Sequence, residues 1–160
     1  MLTASDIRYN TKLIKLCIGM MFLLIGFLFY YFIRASNPPF FIHIFHPSKI
    51  HFSYMPHFFY NNSPSFLHVV AFSFITAGIW SGDKSTNVLV NFFSCFSWFL
   101  IDLIFECMQS LTVISKHLIL KNHIGLGIYD VKDIWACALG AFLSFFILTI
   151  LDFNSTRRRV

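Results

Sequence analysis

At 160 residues, 57% hydrophobic and only 12% charged, the chain has room for one domain but too few charges to wet a soluble surface, where roughly 25% is usual. The formal charge of +5 does not point to nucleic acid, because Lys and Arg sit beside apolar runs, where they orient a membrane protein. The four cysteines, Cys17, Cys95, Cys107 and Cys137, all fall inside apolar segments and form no CxxC pair, which argues against a disulfide framework or a thiolate metal site.

Four segments are apolar enough to cross a hydrocarbon core about 30 Å thick, which takes about 20 helical residues. The first, 13–33, carries Lys15 near its start and no charge after it. It ends in aromatic residues rather than in a small-residue cleavage pattern, so it reads as a retained helix with Tyr30 and Tyr31 at the interface. The connection that follows, PPFFIHIFHPSKIHFSYMPHFFYNNSP, is too rich in Phe, Ile and Tyr for a solvated loop. Pro38, Pro39, Pro47 and Pro56 exclude one continuous helix there. It is expected to lie in the headgroup zone as a cap over the bundle. The second span covers about 65–80, opened by His68 in its first turn, and the third covers 88–109. The fourth, 134–151, is uncharged throughout. The fold expected is all-α: a four-helix transmembrane bundle with a Phe/His/Pro-rich interfacial connection between helices 1 and 2.

Orientation follows the distribution of basic residues. Arg8, Lys12 and Lys15 cluster at the start of the first span, Lys84 lies in the short second turn, and Arg157, Arg158 and Arg159 follow the last. These seven of the 12 basic residues place both termini in the cytoplasm. Arg34, Lys49, Lys116, Lys121 and Lys132 then face outward.

Charged groups within a span are costly and mark function by default. Asp102, Glu106 and Gln109 are spaced by four and three, which puts them on one face of the third helix. That face must look into the bundle. Asp102 lies roughly 10 Å deeper than Gln109, where Ser97, Thr76 or water could serve it. The same topology brings His68, Asp130 and Asp133 to the outer leaflet, so six residues outline an outward-facing acidic pocket. Asp133 is equally well explained as the N-cap of the fourth helix, and Asp130 as ordinary turn chemistry. Ala136, Gly140 and Ser144 form a small-residue stripe suited to helix contact.

These residues also carry a family likeness. Leu67-His68-Val69-Val70-Ala71-Phe72 resembles the LHFLAF helix start of VanZ-like proteins. Ile104-Phe105-Glu106-Cys107-Met108-Gln109 resembles their E-x-x-Q helix end, and the stretch from Asp130 through Asp133 and Cys137 to Gly140 resembles their D-x-x-D-x-x-x-N-x-x-G-A entry into the last helix. The motifs occur in the family's order over about half of the chain. Cys137 stands where the family usually has Asn, and the first outer connection, long and rich in Phe and His, is unlike the family's. The resemblance implies a multi-pass protein of the bacterial cytoplasmic membrane, in a family named for resistance to the glycopeptide teicoplanin.

The expected role is binding, through the pocket, of an envelope lipid, a peptidoglycan precursor or a partner membrane protein, without a cofactor or a bound metal. The alternative is an intramembrane hydrolase or transferase acting on an envelope lipid, by acid–base chemistry or through a divalent metal. Against it, no Ser or Cys nucleophile is paired with a base. All seven histidines map to the outer side, but their spacing matches no standard metal site. No inverted repeat of the transporter kind is present.

Overall fold

The computed structural model describes residues 4–33, 57–81, 87–114 and 130–157. They form four long helices: α1 (Ala4–Leu28), α2 (His57–Trp80), α3 (Val88–Ile114) and α4 (Val131–Arg157). A single π-helical turn, Phe29–Ile33, prolongs α1, and there the Phe27 and Tyr31 rings stack at 6.2 Å. The architecture is an all-α four-helix bundle, and each helix is long and apolar enough to cross a membrane. The chain is a multi-pass membrane protein.

All four helices run beyond the spans read from hydropathy, and α1 begins at Ala4, nine residues before the expected start. α2 begins at His57, eight residues before the expected start, and passes through Pro64. Proline has no N–H for the carbonyl one turn back, and membrane helices tolerate it where neighbours compensate. α3 continues past Gln109 to Ile114. α4 continues past Leu151 to Arg157, so the span that looked uncharged carries Asp152 within it. The Phe/His/Pro-rich interfacial segment, over residues 34–56, lies outside the described residues.

Helix α2 is the hub, packed against α1, α3 and α4. Val69, Ala71, Phe74 and Ala77 on it are fully buried, which explains why this helix has no lipid-facing stripe of its own. The other three turn Met20, Leu24, Leu89, Phe142 and Trp135 outward, as lipid requires.

Apolar burial does not draw helices together when the solvent is itself apolar; close backbone approach does. A Cβ built on Gly19 would lie 2.7 Å from Ile75 Cγ1 and 2.8 Å from the Ala71 carbonyl oxygen, and one on Gly78 would lie 2.9 Å from Leu16 Cγ. α1 and α2 therefore touch along antiparallel axes. Gly19→Ala is expected to lower stability in detergent by about 1–3 kcal/mol, the usual cost of overpacking, because backbone must move. Gly26→Ala, whose nearest neighbour would be Leu67 Cβ at 3.8 Å, leaves the melting temperature unchanged or raises it. Thermal unfolding of the two variants checks this.

Candidate functional site

The helix ends opposite the termini gather most of the polar residues singled out in the sequence. His68 on α2 places Nδ1 2.9 and 3.0 Å from the two carboxylate oxygens of Asp102 on α3. An ionised carboxylate has no hydrogen to give, so Nδ1 carries the proton and Nε2 is left for a ligand. Aromatic rings fix the imidazole plane. Phe72 meets it edge-on at 4.7 Å and Trp98 at 5.7 Å, while Phe72 and Trp98 stack on each other at 4.5 Å. The Trp98 indole N–H donates to Thr76 Oγ1 at 2.8 Å. Thr76 thus serves Trp98 rather than Asp102, and the partner of Asp102 is His68. The Cys137 thiol on α4 adds a long contact, 3.8 Å, to Asp102. The His68 side chain is 40% exposed and that of Asp102 only 11%, so the pair spans the boundary between the bundle interior and its surroundings.

Glu106 lies one helical turn along α3 from Asp102 and is buried. Its Oε2 has no hydrogen-bond partner among the described residues. Asp133 accepts a 2.8 Å hydrogen bond from Asn62 Nδ2. Asn62 is fully buried on α2, and its own Oδ1 is also without a partner among the described residues.

The capping assignment is corrected. Asp130 is the N-cap of α4: its Oδ1 accepts the Lys132 N–H at 2.9 Å, and its carbonyl accepts the Asp133 N–H at 2.9 Å. Both residues carry the carboxylate expected of a cap, but only Asp130 stands just outside the helix. Asp133, in the first turn, is turned to Asn62.

His68, Asp102, Glu106, Asp130 and Asp133 therefore occupy one end of the bundle. The Gln109 side chain lies outside the described residues. The sequence reading missed Asn62 and Trp98, and it named Thr76 only as a partner for Asp102. Asn62 has the only available signal, a strongly polar amide where α2 can be extended backward. Among the described residues no group of three or more His, Cys, Asp or Glu is placed to hold a metal ion.

A second polar cluster, which the sequence reading did not anticipate, lies at the other end. Lys15 was read there as an orienting charge beside the headgroups. It is instead fully buried, with Nζ 2.8 Å from Asp152 Oδ1, 3.0 Å from Ser81 Oγ and 3.3 Å from Asn91 Oδ1. Asn91 Nδ2 closes the ring by donating to Asp152 Oδ2 at 2.8 Å. One residue comes from each of α1, α3 and α4, and Ser81 follows the last residue of α2.

No protein-family model matches the chain, and neither a curated protein nor a solved structure does so significantly.

Removing one member of a buried ion pair strands the other in a medium that cannot solvate it. Lys15→Met is expected to destabilise the protein by about 3–5 kcal/mol. The double variant Lys15→Met/Asp152→Leu recovers most of that loss, since neither charge then remains. Denaturant unfolding in detergent micelles reads both values.

Proposed function

We propose that this protein binds the polar headgroup of an envelope lipid or lipid-linked precursor in the recess formed by His68, Asp102, Glu106 and Asp133. The observation that carries the reading is the buried Glu106 Oε2, which has no hydrogen-bond partner among the described residues, beside the half-exposed His68–Asp102 pair. An orphaned buried acceptor costs free energy unless something donates to it. Carboxylates from α3 and α4 meet a single imidazole here, so the recess favours a cationic ligand rich in hydrogen-bond donors: an amine, rather than an anionic headgroup.

The basic residues flanking the termini support a cytoplasmic placement for that end, which turns the recess outward. The resemblance to VanZ-like proteins supports a bacterial cytoplasmic membrane as the setting and a link to glycopeptide resistance as the biological context. Cys137, where that family usually has Asn, offers Asp102 only a weak S–H donor, so the ligand spectrum of this chain is expected to differ from that of Asn-bearing relatives.

A second reading rests on the His68–Asp102 geometry. A carboxylate that holds an imidazole by Nδ1 and leaves Nε2 open is the arrangement of an oriented general base. In that reading the chain is a hydrolase or transferase acting on the headgroup it binds.

Titration of the purified protein with phosphatidylethanolamine and with phosphatidylglycerol tests the proposal. The amine-bearing lipid is expected to raise the melting temperature and the anionic lipid to leave it unchanged. Glu106→Gln, which removes one charge-assisted hydrogen bond, is expected to weaken the effect about tenfold or more. Equal responses to both lipids, or an unaltered response in Glu106→Gln, reject the binding reading. Conversion of the lipid to a new species by the wild type but not by His68→Gln replaces it with the catalytic one.

A further inference from the structure

Between the two polar clusters the bundle interior is not purely hydrocarbon. Ser73 on α2, Ser94 on α3 and Ser144 on α4 are each 0% exposed, and none of their hydroxyls has a hydrogen-bond partner among the described residues. A helical Ser or Thr ordinarily satisfies its hydroxyl by bonding the carbonyl one turn back, as Ser81 does to Ala77 and Thr149 to Phe145. The three inner serines do not. Ser73 lies beside the buried Cys95 thiol, a weak partner. Buried hydroxyls of this kind are the usual anchors of internal water.

Their depths are graded. Taking the Asp152–Asn91 level as the origin and about 1.5 Å of rise per residue, Ser94 lies about 4.5 Å along the bundle and Ser73 and Ser144 lie about 12 Å along it. Asp102 follows at about 16 Å and Glu106 at about 22 Å. The same rise puts Cys137 level with Glu106. Along the bundle axis every step is about 8 Å or less, a rise that one or two waters cover at about 2.8 Å per hydrogen bond.

We propose that these inner faces form a proton path through the bundle, running from Asp152 through the serine hydroxyls to Asp102, His68 and Glu106. Each group named either gives and takes a proton or holds a water that does. Both ends finish on a titratable pair, Asp152 with Lys15 and Asp102 with His68. The packing selects a proton over a metal ion. A Cβ on Gly140 would lie 3.0 Å from the Phe66 carbonyl oxygen, and Phe74 and Leu148 are fully buried in the same core. A hydrated ion finds no bore there, whereas a proton moves by exchange along hydrogen bonds. One proton is taken up at a carboxylate at one end and one is released at the other, with only O–H and N–H bonds made and broken and one charge moved across the membrane. Chains of Asp, Glu and His inside a membrane are a recurrent basis for proton relays. This goes beyond headgroup binding, with which it shares the His68–Asp102–Glu106 end but not the serines or the Asp152 end.

The test uses the full chain reconstituted into phosphatidylcholine liposomes loaded with potassium and internal pyranine. Valinomycin sets an inside-negative potential, and pyranine reports proton entry. Wild-type liposomes are expected to acidify faster than protein-free ones. The double variant Ser73→Ala/Ser144→Ala is expected to lose the flux while keeping its melting temperature and its stabilisation by phosphatidylethanolamine, since neither residue borders the recess. Asp102→Asn is expected to lose the flux as well. Acidification by the wild type no faster than in protein-free liposomes overturns the proposal, and so does undiminished flux in the serine variant. Flux without phosphatidylethanolamine-dependent stabilisation sinks the headgroup reading and leaves the proton path standing.

Discussion

All four helices meet at one ammonium group. Lys15 projects from α1 into a ring made by Ser81, Asn91 and Asp152. In lipid the hydrophobic effect does not press helices together, so register comes from close backbone contact and from polar groups that have nowhere else to go. A lysine head in the bundle interior cannot be left unpaired, and its three partners must stand at its level. That requirement aligns the middle of α1 with the end of α2, the start of α3 and the last turns of α4. It also brings both termini to the same end of the bundle.

Once that end is aligned, the helical period carries the alignment to the other. On α3, Asn91, Ser94, Asp102 and Glu106 lie along one face, and on α4 so do Asp133, Cys137, Gly140, Ser144 and Asp152. On α2 the corresponding face runs from Asn62 through Ser73 to Ser81, with His68 turned toward α3. The His68–Asp102 contact and the Lys15–Asp152 contact are therefore two ends of one polar seam. The close approach of α2 and α4 at Gly140 keeps the seam narrow. Narrowness strengthens every electrostatic contact within it, since little water screens the charges.

Several features were legible in advance because they depend on local periodicity or on composition alone. The spacing of Asp102, Glu106 and Gln109 forces a shared helical face whatever the neighbours are. His68, Asp130 and Asp133 come to the same end by counting spans. Other features were hidden for definite reasons. Asp152 lies one residue past the end of the fourth span read from hydropathy, so the cost of burying a charge was not applied to it. Lys15 has a flexible stem that normally carries the charge to the headgroups, and only the presence of Asp152, Asn91 and Ser81 at its depth turns it inward. Asp130 and Asp133 are both good caps by residue type, and one residue of helix boundary decides between them.

The sequence by itself determined that this is a membrane protein of four helices with acidic groups on one inner face, because lipid imposes length, hydropathy and the cost of charge on each span separately. The tertiary structure decided which polar groups meet. His68 with Asp102, Asn62 with Asp133 and Lys15 with Asp152 are pairings between residues 34, 71 and 137 positions apart along the chain. Such partners are chosen by the relative rotation and register of packed helices, which no single helix encodes.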